Sequence, residues 1–229
     1  DEEDDAKSTA IIERDGALIN DAGLPIEDVH QYIVENRTIK EFPGAEFTEN
    51  GHKVLEKSCD ILIPAALEAQ IHTDNADKID TKLIVEAANG PVTFEADEIL
   101  KKRGIKVLPD AYVNAGGVTV SYFEWVRNLS HIRFGRMERR YDELRGESIL
   151  KGIEQMTGNT ASDALHEDFI RGADELDLVR SGLDDTMRLA FQQILATMKS
   201  NDKITDLRTA AFAVAVSKIS RSYIDIGVY

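Results

Sequence analysis

Cysteine is nearly absent from this chain of 229 residues: Cys59 stands alone, which excludes an intrachain disulfide framework and suits a reducing compartment. Long hydrophobic runs are missing too. The longest candidate, residues 210–216, falls far short of the roughly 20 apolar residues a membrane-spanning helix needs. Basic residues are the minority, 27 Lys and Arg against 42 Asp and Glu, for a net charge of −15. That charge repels the phosphates of nucleic acid and anionic lipid and excludes both as general partners. The five histidines, at 30, 52, 72, 131 and 166, lack metal-ligand spacing, so no metal is assigned.

What is present argues for a folded α/β protein. A hydrophobic content of 42% is enough for a packed core. The acidic run Asp1-Glu2-Glu3-Asp4-Asp5 is neither a signal nor a transit peptide and reads as a solvated tail. Thr9-Ala10-Ile11-Ile12 reads as a strand ending at Glu13 and an Asp15-Gly16 turn. Pro25 opens a helix with Glu27 and Asp28 in its first turn and Ile26, Val29 and Ile33 on one face. Asp60 to Pro64, Leu83 to Ala88 and Ile105 to Leu108 are further strands. Their continuous apolar runs suit a parallel sheet covered on both faces. Between the last two, a helix is capped near Thr93 and stopped by Gly104.

Beyond residue 114 the pattern is helical throughout. Val118, Tyr122, Trp125 and Leu129 recur at helical spacing, giving a helix from Asn114 to Ser130 with one apolar face. From Arg136 to Arg180 the chain is charged and interrupted by Gly146, Gly152, Gly158 and Gly172, which reads as an excursion of short helices. Ser181 with Asp184 resembles a capping box opening the next helix, whose stripe is Leu183, Met187, Ala190, Ile194 and Met198. A last helix covers about Asp206 to Tyr223. The expected organisation is a dinucleotide-binding region over 1–130, a helical excursion over 131–180, and C-terminal helices over 181–229 that pack back on the first region.

In such α/β sheets ligands gather at the carboxyl ends of the strands. Glu13 ends the first strand, where an acidic residue accepts hydrogen bonds from an adenosine ribose; a solvated surface glutamate fits the position as well. Ala65 and Ala66 follow the next strand, small enough for a flat ligand to approach, or simply forming a tight turn. Asn89-Gly90-Pro91 follows the third, as an amide ligand or as punctuation. The run after the fourth strand says more. Gly116 and Gly117 lie in the first helical turn, where each costs roughly 1 kcal/mol relative to alanine. A helix start that must let a ligand touch its backbone accepts that cost; a capped helix with a small-residue packing face is the alternative. Asn114, Gly117 and Ser121 share one face, a polar groove suited to a nicotinamide carboxamide beside a small amino acid.

Asn89-Gly90-Pro91 and the twelve residues from Asn114 to Trp125 resemble the matching segments of hexameric glutamate dehydrogenases. The likeness extends to Asp60 through Ala66, Ser181-Gly182-Leu183, Thr186-Met187 and Asp206 through Ala211. It is weakest from Met137 to Val179, which corresponds to the antenna of animal members and looks shorter here. The resemblance implies that Glu13 holds the ribose, that Ala65, Ala66 and Asn89 line the cofactor cleft, that Asn114 binds the nicotinamide side, and that Ser121 hydrogen-bonds glutamate. It implies reversible hydride transfer between glutamate and NAD, or NADP, giving 2-oxoglutarate and ammonia through an imino acid. It also implies a homohexamer and an intracellular compartment, the mitochondrial matrix in a eukaryote. Arg188-Leu189 does not match the purine-effector contacts of animal members, so that regulation is not carried over.

Two things the family needs are missing. No G-x-G-x-x-G, the phosphate-cradling turn of dinucleotide folds, occurs anywhere in the chain. The lysine and aspartate of the family's substrate domain, which carry its proton transfers, also lie outside this chain, so no catalytic residue is assigned. The expected fold is therefore a partial doubly wound, Rossmann-like parallel sheet without its first strand, followed by an all-helical region. In strand order 3-2-1-4-5-6 that strand is central, and its loss separates Thr9–Ile12 from the rest. The chain is then expected to be part of a longer polypeptide or to be completed by a partner. A non-catalytic dehydrogenase-derived subunit is the alternative, and an enzyme for leucine or phenylalanine is a weaker one, disfavoured by the Ser121 hydroxyl.

Overall fold

The computed structural model describes residues 6–130, 136–170 and 175–227. The acidic run at 1–5, Gly172 and the two ends of the expected excursion at 131–135 and 171–174 lie outside the described residues. The chain divides into two compact units, Asp1–Asp110 and Ala111–Tyr229.

The first unit holds two sheets. Strands β1 (Ala10–Glu13), β2 (Gly16–Ile19) and β3 (Glu46–Thr48) form an antiparallel sheet in the order β1-β2-β3. The strand expected at Thr9–Ile12 is present, but it is paired antiparallel with a strand that the sequence reading took only as far as its turn. The reason is local. Arg14 and Asp15 form a two-residue hairpin loop, and Gly16 takes a φ of +146°, open only to glycine. A Cβ there would lie 2.3 Å from the Thr48 carbonyl oxygen, so β3 can close against β2 only over a glycine. Behind this sheet, α1 (Ile26–Asn36) opens after Pro25 and turns Val29 into a cluster with Leu18, Leu24, Ile39 and Phe42.

Strands β4 (Ile61–Leu62), β5 (Leu83–Val85) and β6 (Lys106–Leu108) form the expected parallel sheet, in the order β4-β5-β6. Short helices α2 (Gly51–Val54) and α3 (Thr73–Ala76) precede and follow β4, and α4 (Phe94–Lys102) connects β5 to β6. Thr93 caps α4 by accepting from the Ala96 N–H, and Gly104 ends it at a φ of +77°. The core between sheet and helices is apolar: Ile71, Ile79, Ile84, Ala96 and Leu100 are fully buried. Burial of each large aliphatic side chain contributes about 1.5–3 kcal/mol. Both β1 and β4 are edge strands among the described residues, the arrangement left when the strand between them is lacking.

The second unit is all helix. After the single turn α5 (Asp110–Val113) come α6 (Ala115–Ser130), α7 (Arg136–Thr157), α8 (Asp163–Ile170), α9 (Glu175–Ser200) and α10 (Leu207–Asp225). Two expectations are corrected here. The region from Arg136 is not a set of short helices: α7 runs unbroken through Gly146 and Gly152 and stops at Gly158, where φ is +71°. Gly146 is a packing residue, because a Cβ on it would sit 2.2 Å from the Phe169 carbonyl of α8. Nor does Ser181 open a helix. It lies inside α9, where the neighbouring Gly182 lets the Phe123 ring of α6 approach within 3.4 Å of a would-be Cβ.

The stripe expected on α9 faces inward, with Ile194 buried against Ala210 and Ala211 of α10. Asp206 caps α10, its two carboxylate oxygens accepting the backbone N–H and hydroxyl of Thr209 at 2.8 and 2.9 Å.

Candidate active site at the strand ends and the start of the long helix

The three loops that leave the carboxyl ends of the parallel strands are tied to one another. The Pro64 carbonyl, just past β4, accepts the N–H groups of Ala87 and Ala88 at 3.1 and 3.0 Å. The loop after β5 returns the contact: Gly90 and Pro91 carbonyls accept from Ala69 and Ile71, each at 2.9 Å. Pro64, Pro91 and Pro109 are buried beneath, while Ala65, Ala66 and Asn89 stand exposed above them. Three of the expected site residues are thereby gathered on one laced set of loops. Gly90 holds a φ of +51°, and a Cβ on it would meet nothing within 4 Å. The space over this loop is open.

Two carboxylates complete the lacing, and sequence reading passed over both. Glu86, at the end of β5, is fully buried, and its Oε2 accepts the Asp110 N–H at 2.8 Å. Asp110, after β6, accepts the Gly90 N–H on its Oδ2 at 2.8 Å. The signal was available: a glutamate closing the apolar run Leu83-Ile84-Val85 is too costly to bury without a partner. Its partner, however, is a backbone N–H 24 residues away, which no local pattern announces.

Glu13 ends β1 opposite Gly16 and is exposed, with its carboxylate open to solvent. The groups with shifted acidity near the parallel sheet lie at the other end of the strands. Lys82 and Asp60 pair at 2.6 Å before β5 and β4, and this bond lowers the Asp60 carboxyl and raises the Lys82 ammonium. Both are fully exposed, so the pair marks surface charge rather than chemistry.

In the second unit, Asn114 immediately precedes α6, and its carbonyl accepts the Gly117 N–H at 3.2 Å. The two glycines divide their work. Gly116 faces the Leu183 side chain of α9, 3.7 Å from a would-be Cβ, whereas Gly117 faces open space. One turn on, the exposed Ser121 hydroxyl donates to the Gly117 carbonyl at 3.1 Å. Asn114, Gly117 and Ser121 are thus linked through Gly117, whose N–H donates to Asn114 and whose carbonyl accepts from Ser121. Below them α5 is anchored by Tyr112, whose hydroxyl donates to the Met187 carbonyl at 3.2 Å and whose burial raises its pKa. Among the described residues no group of His, Cys, Asp and Glu is placed to hold a metal, and no helix is long and apolar enough to cross a membrane.

Comparison with known families places the chain in one of them. The model of the Glutamate/Leucine/Phenylalanine/Valine dehydrogenase family matches residues 2–180. The chain belongs to that family. Among relatives of this dehydrogenase chain are a probable glutamate dehydrogenase of Sinorhizobium fredii and the mitochondrial glutamate dehydrogenase of Dictyostelium discoideum. The first is 48% identical over 96% of this chain and 49% of the relative. The second is 48% identical over 95% of this chain and 43% of the relative. The chain spans about half the length of the curated relatives it matches. A crystal structure of glutamate dehydrogenase from Peptoniphilus asaccharolyticus covers all of the chain with 43% of its own, at 27% identity and a TM-score of 0.63. The hetero-hexameric glutamate dehydrogenase from Thermus thermophilus shares the fold at a TM-score of 0.72 and 19% identity, covering 97% of this chain and 42% of its own.

For a dehydrogenase the fit to a dinucleotide is partial. In the first unit, exposed Ala65, Ala66 and Asn89 and the open space over Gly90 suit a flat ring approached by backbone. A pyrophosphate finds no glycine-rich cradle in this sequence.

Proposed function

We propose that this chain is the C-terminal part of a glutamate dehydrogenase, contributing cofactor and substrate contacts to the oxidative deamination of L-glutamate to 2-oxoglutarate and ammonia. The observation that carries the reading is the face of α6: an amide before the helix, an open glycine, and an exposed hydroxyl one turn further on. Such a face takes a polar substrate side chain. Family membership and the naming of the relatives as glutamate dehydrogenases support the same substrate.

In this reading Ala65, Ala66 and Asn89 line the cofactor cleft and Asn114 takes the nicotinamide side. Glu13 accepts the ribose hydroxyls, which favours NAD over NADP by repelling a 2′-phosphate. Ser121 rotates its hydroxyl from the Gly117 carbonyl to the glutamate carboxylate. When bound, NAD supplies the hydride acceptor. The chain's own residues orient the two reactants and leave proton transfer to groups elsewhere in the polypeptide. Regions 1–130, 131–180 and 181–229 are assigned as partial dinucleotide-binding region, shortened antenna and returning C-terminal helices. A hexamer is assigned as well, in keeping with the Thermus relative, and an intracellular site, the mitochondrial matrix in a eukaryote.

The test is a substrate survey with the full natural polypeptide, following reduction of NAD and NADP. Glutamate with NAD is expected to give the highest kcat/KM. Preference for leucine, phenylalanine or valine would overturn the substrate, and a preference for NADP by tenfold or more would overturn the role of Glu13.

A further inference from the structure

Glu86 and Asp110 have no place in the proposed chemistry, yet the fold goes to unusual lengths to keep them. Strand β5 is otherwise apolar, and a carboxylate fully removed from solvent at its end is costly unless strong hydrogen bonds compensate it. Glu86 secures the backbone N–H of Asp110, at 2.8 Å. Asp110 in turn secures the backbone N–H of Gly90, at 2.8 Å. Each carboxylate therefore spans from one strand-end loop to the other, and the two bonds run in opposite directions. The Glu86 N–H adds a third tie, to the Leu108 carbonyl at 3.1 Å.

The residue placed by this device is Asn89. Its C-terminal neighbour, Gly90, sits at a φ of +51°, a conformation reached at no steric cost and easily left. Without an acceptor for the Gly90 N–H, the peptide between Asn89 and Gly90 loses a bond that opposes its turning over. That rotation would redirect the carbonyl of Asn89 and shift its side chain. The N-terminal side of Asn89 is already held, since Ala87 and Ala88 both donate to Pro64. The Asp110 carboxylate closes the remaining side. A charged acceptor is suited to this, because hydrogen bonds from a backbone N–H to a carboxylate are shorter and stronger than those to a neutral oxygen.

We propose that Glu86 and Asp110 are positioning residues: a two-carboxylate latch that fixes the Asn89-Gly90 peptide so that Asn89 meets the cofactor preorganised. The proposal rests on the assignment of Asn89 to the cofactor cleft, and the experiment separates the two. In the full natural polypeptide, NAD affinity is measured for Asn89→Ala, Asp110→Ala, Asp110→Asn, Glu86→Gln and the double variant Asn89→Ala/Asp110→Ala. Exchange of the Gly90 amide hydrogen is followed without nucleotide.

Asp110→Ala is expected to raise the Kd for NAD about tenfold, the worth of one charge-assisted hydrogen bond. The KM for glutamate and the melting temperature stay close to those of the parent. Asp110→Asn and Glu86→Gln retain an acceptor oxygen and recover most of the loss. The Gly90 amide loses protection in Asp110→Ala, and the double variant binds NAD no more weakly than Asn89→Ala alone. If Asn89→Ala weakens NAD binding while Asp110→Ala does not, the latch is overturned and the cofactor loop stands. Additive losses in the double variant overturn it too, as does an effect of Asp110→Ala with none from Asn89→Ala. If neither variant alters NAD binding, the cofactor assignment of the loop falls and the latch falls with it. A variant that merely misfolds loses melting temperature and glutamate affinity together and would overturn a positioning role for the residue changed.

Discussion

Ser121 is asked to serve two partners with a single proton. In the helix it donates to the Gly117 carbonyl at 3.1 Å, a bond worth little at an exposed position and given up by rotation of the hydroxyl alone. In the reading proposed here it turns to the substrate carboxylate, where the same donor meets a charged acceptor. Ser121→Ala should therefore raise the KM for glutamate by about tenfold while leaving NAD affinity within about twofold; equal losses of both would remove Ser121 from the substrate side. A second residue-scale case concerns stability. Asp15, in the first hairpin loop, has its carboxyl lowered by the Thr38 hydroxyl, with smaller help from the backbone N–H groups of Asp15 and Ile39 and from Lys40, against the opposing effect of burial. A carboxyl whose acidity is raised by folding contributes above its unfolded pKa and loses that contribution as pH falls through its folded one. Thr38→Val should accordingly cost at most about 1 kcal/mol at neutral pH, since the site is only partly shielded. The difference from the parent should begin to shrink below about pH 4 and fade as the pH falls further through the folded pKa. Urea denaturation at a series of pH values would show it, and a gap that grew on acidification would contradict the assignment.

At the scale of elements, glycine is where sequence and structure parted. Gly104 and Gly158 end helices as glycines are expected to. Gly146 and Gly152 look identical to them in the sequence, yet both lie inside α7. The distinction is in the neighbour: a backbone carbonyl of α8 stands 2.2 Å from a Cβ at Gly146, and nothing stands within 4 Å of one at Gly152. Opposite effects follow. Gly152→Ala should stabilise by about 0.5–1 kcal/mol through helix propensity. Gly146→Ala should destabilise by about 1–3 kcal/mol, because α8 must move. Thermal denaturation of the two variants settles the matter by sign alone, and stabilisation in both would mean that Gly146 is no packing residue. The same logic explains what else was legible. The strands near Thr9, Asp60, Leu83 and Ile105, the Thr93 cap and the α9 stripe depend on residues within one or two turns of each other, and these were legible. The pairing of β1 with β2 hung on the conformation of Gly16, and the tie from Glu86 to Asp110 on a contact across the sheet. Periodicity also says that a helix has an apolar side without saying what covers it. Val118, Tyr122, Trp125 and Leu129 line one side of α6 as expected, yet each is more than half exposed.

For the whole molecule the question is how much of an enzyme 229 residues contain. The residues proposed to orient cofactor and substrate are here, on loops tied by named bonds and on the first turns of α6. The sequence offers no glycine-rich turn for a pyrophosphate, and in the reading proposed here the proton-transfer lysine and aspartate belong to another part of the polypeptide. Orientation without acid–base groups forfeits the typically hundredfold to ten-thousandfold contribution of proton transfer, and loss of the phosphate contacts weakens cofactor binding on top of that. The sheet makes the same statement in backbone terms, since β1 and β4 are edge strands of separate sheets among the described residues. Residues 1–229 produced alone should therefore reduce NAD with glutamate at least about a thousandfold more slowly than the full natural polypeptide. Adding a separately produced upstream segment should restore activity, because a strand inserted between β1 and β4 would supply both the missing pairing and the missing turn. Turnover by residues 1–229 alone at a rate comparable to the full polypeptide would mean that the acid and base lie within this chain. Glu86 and Asp110 would then be the first carboxylates to reconsider.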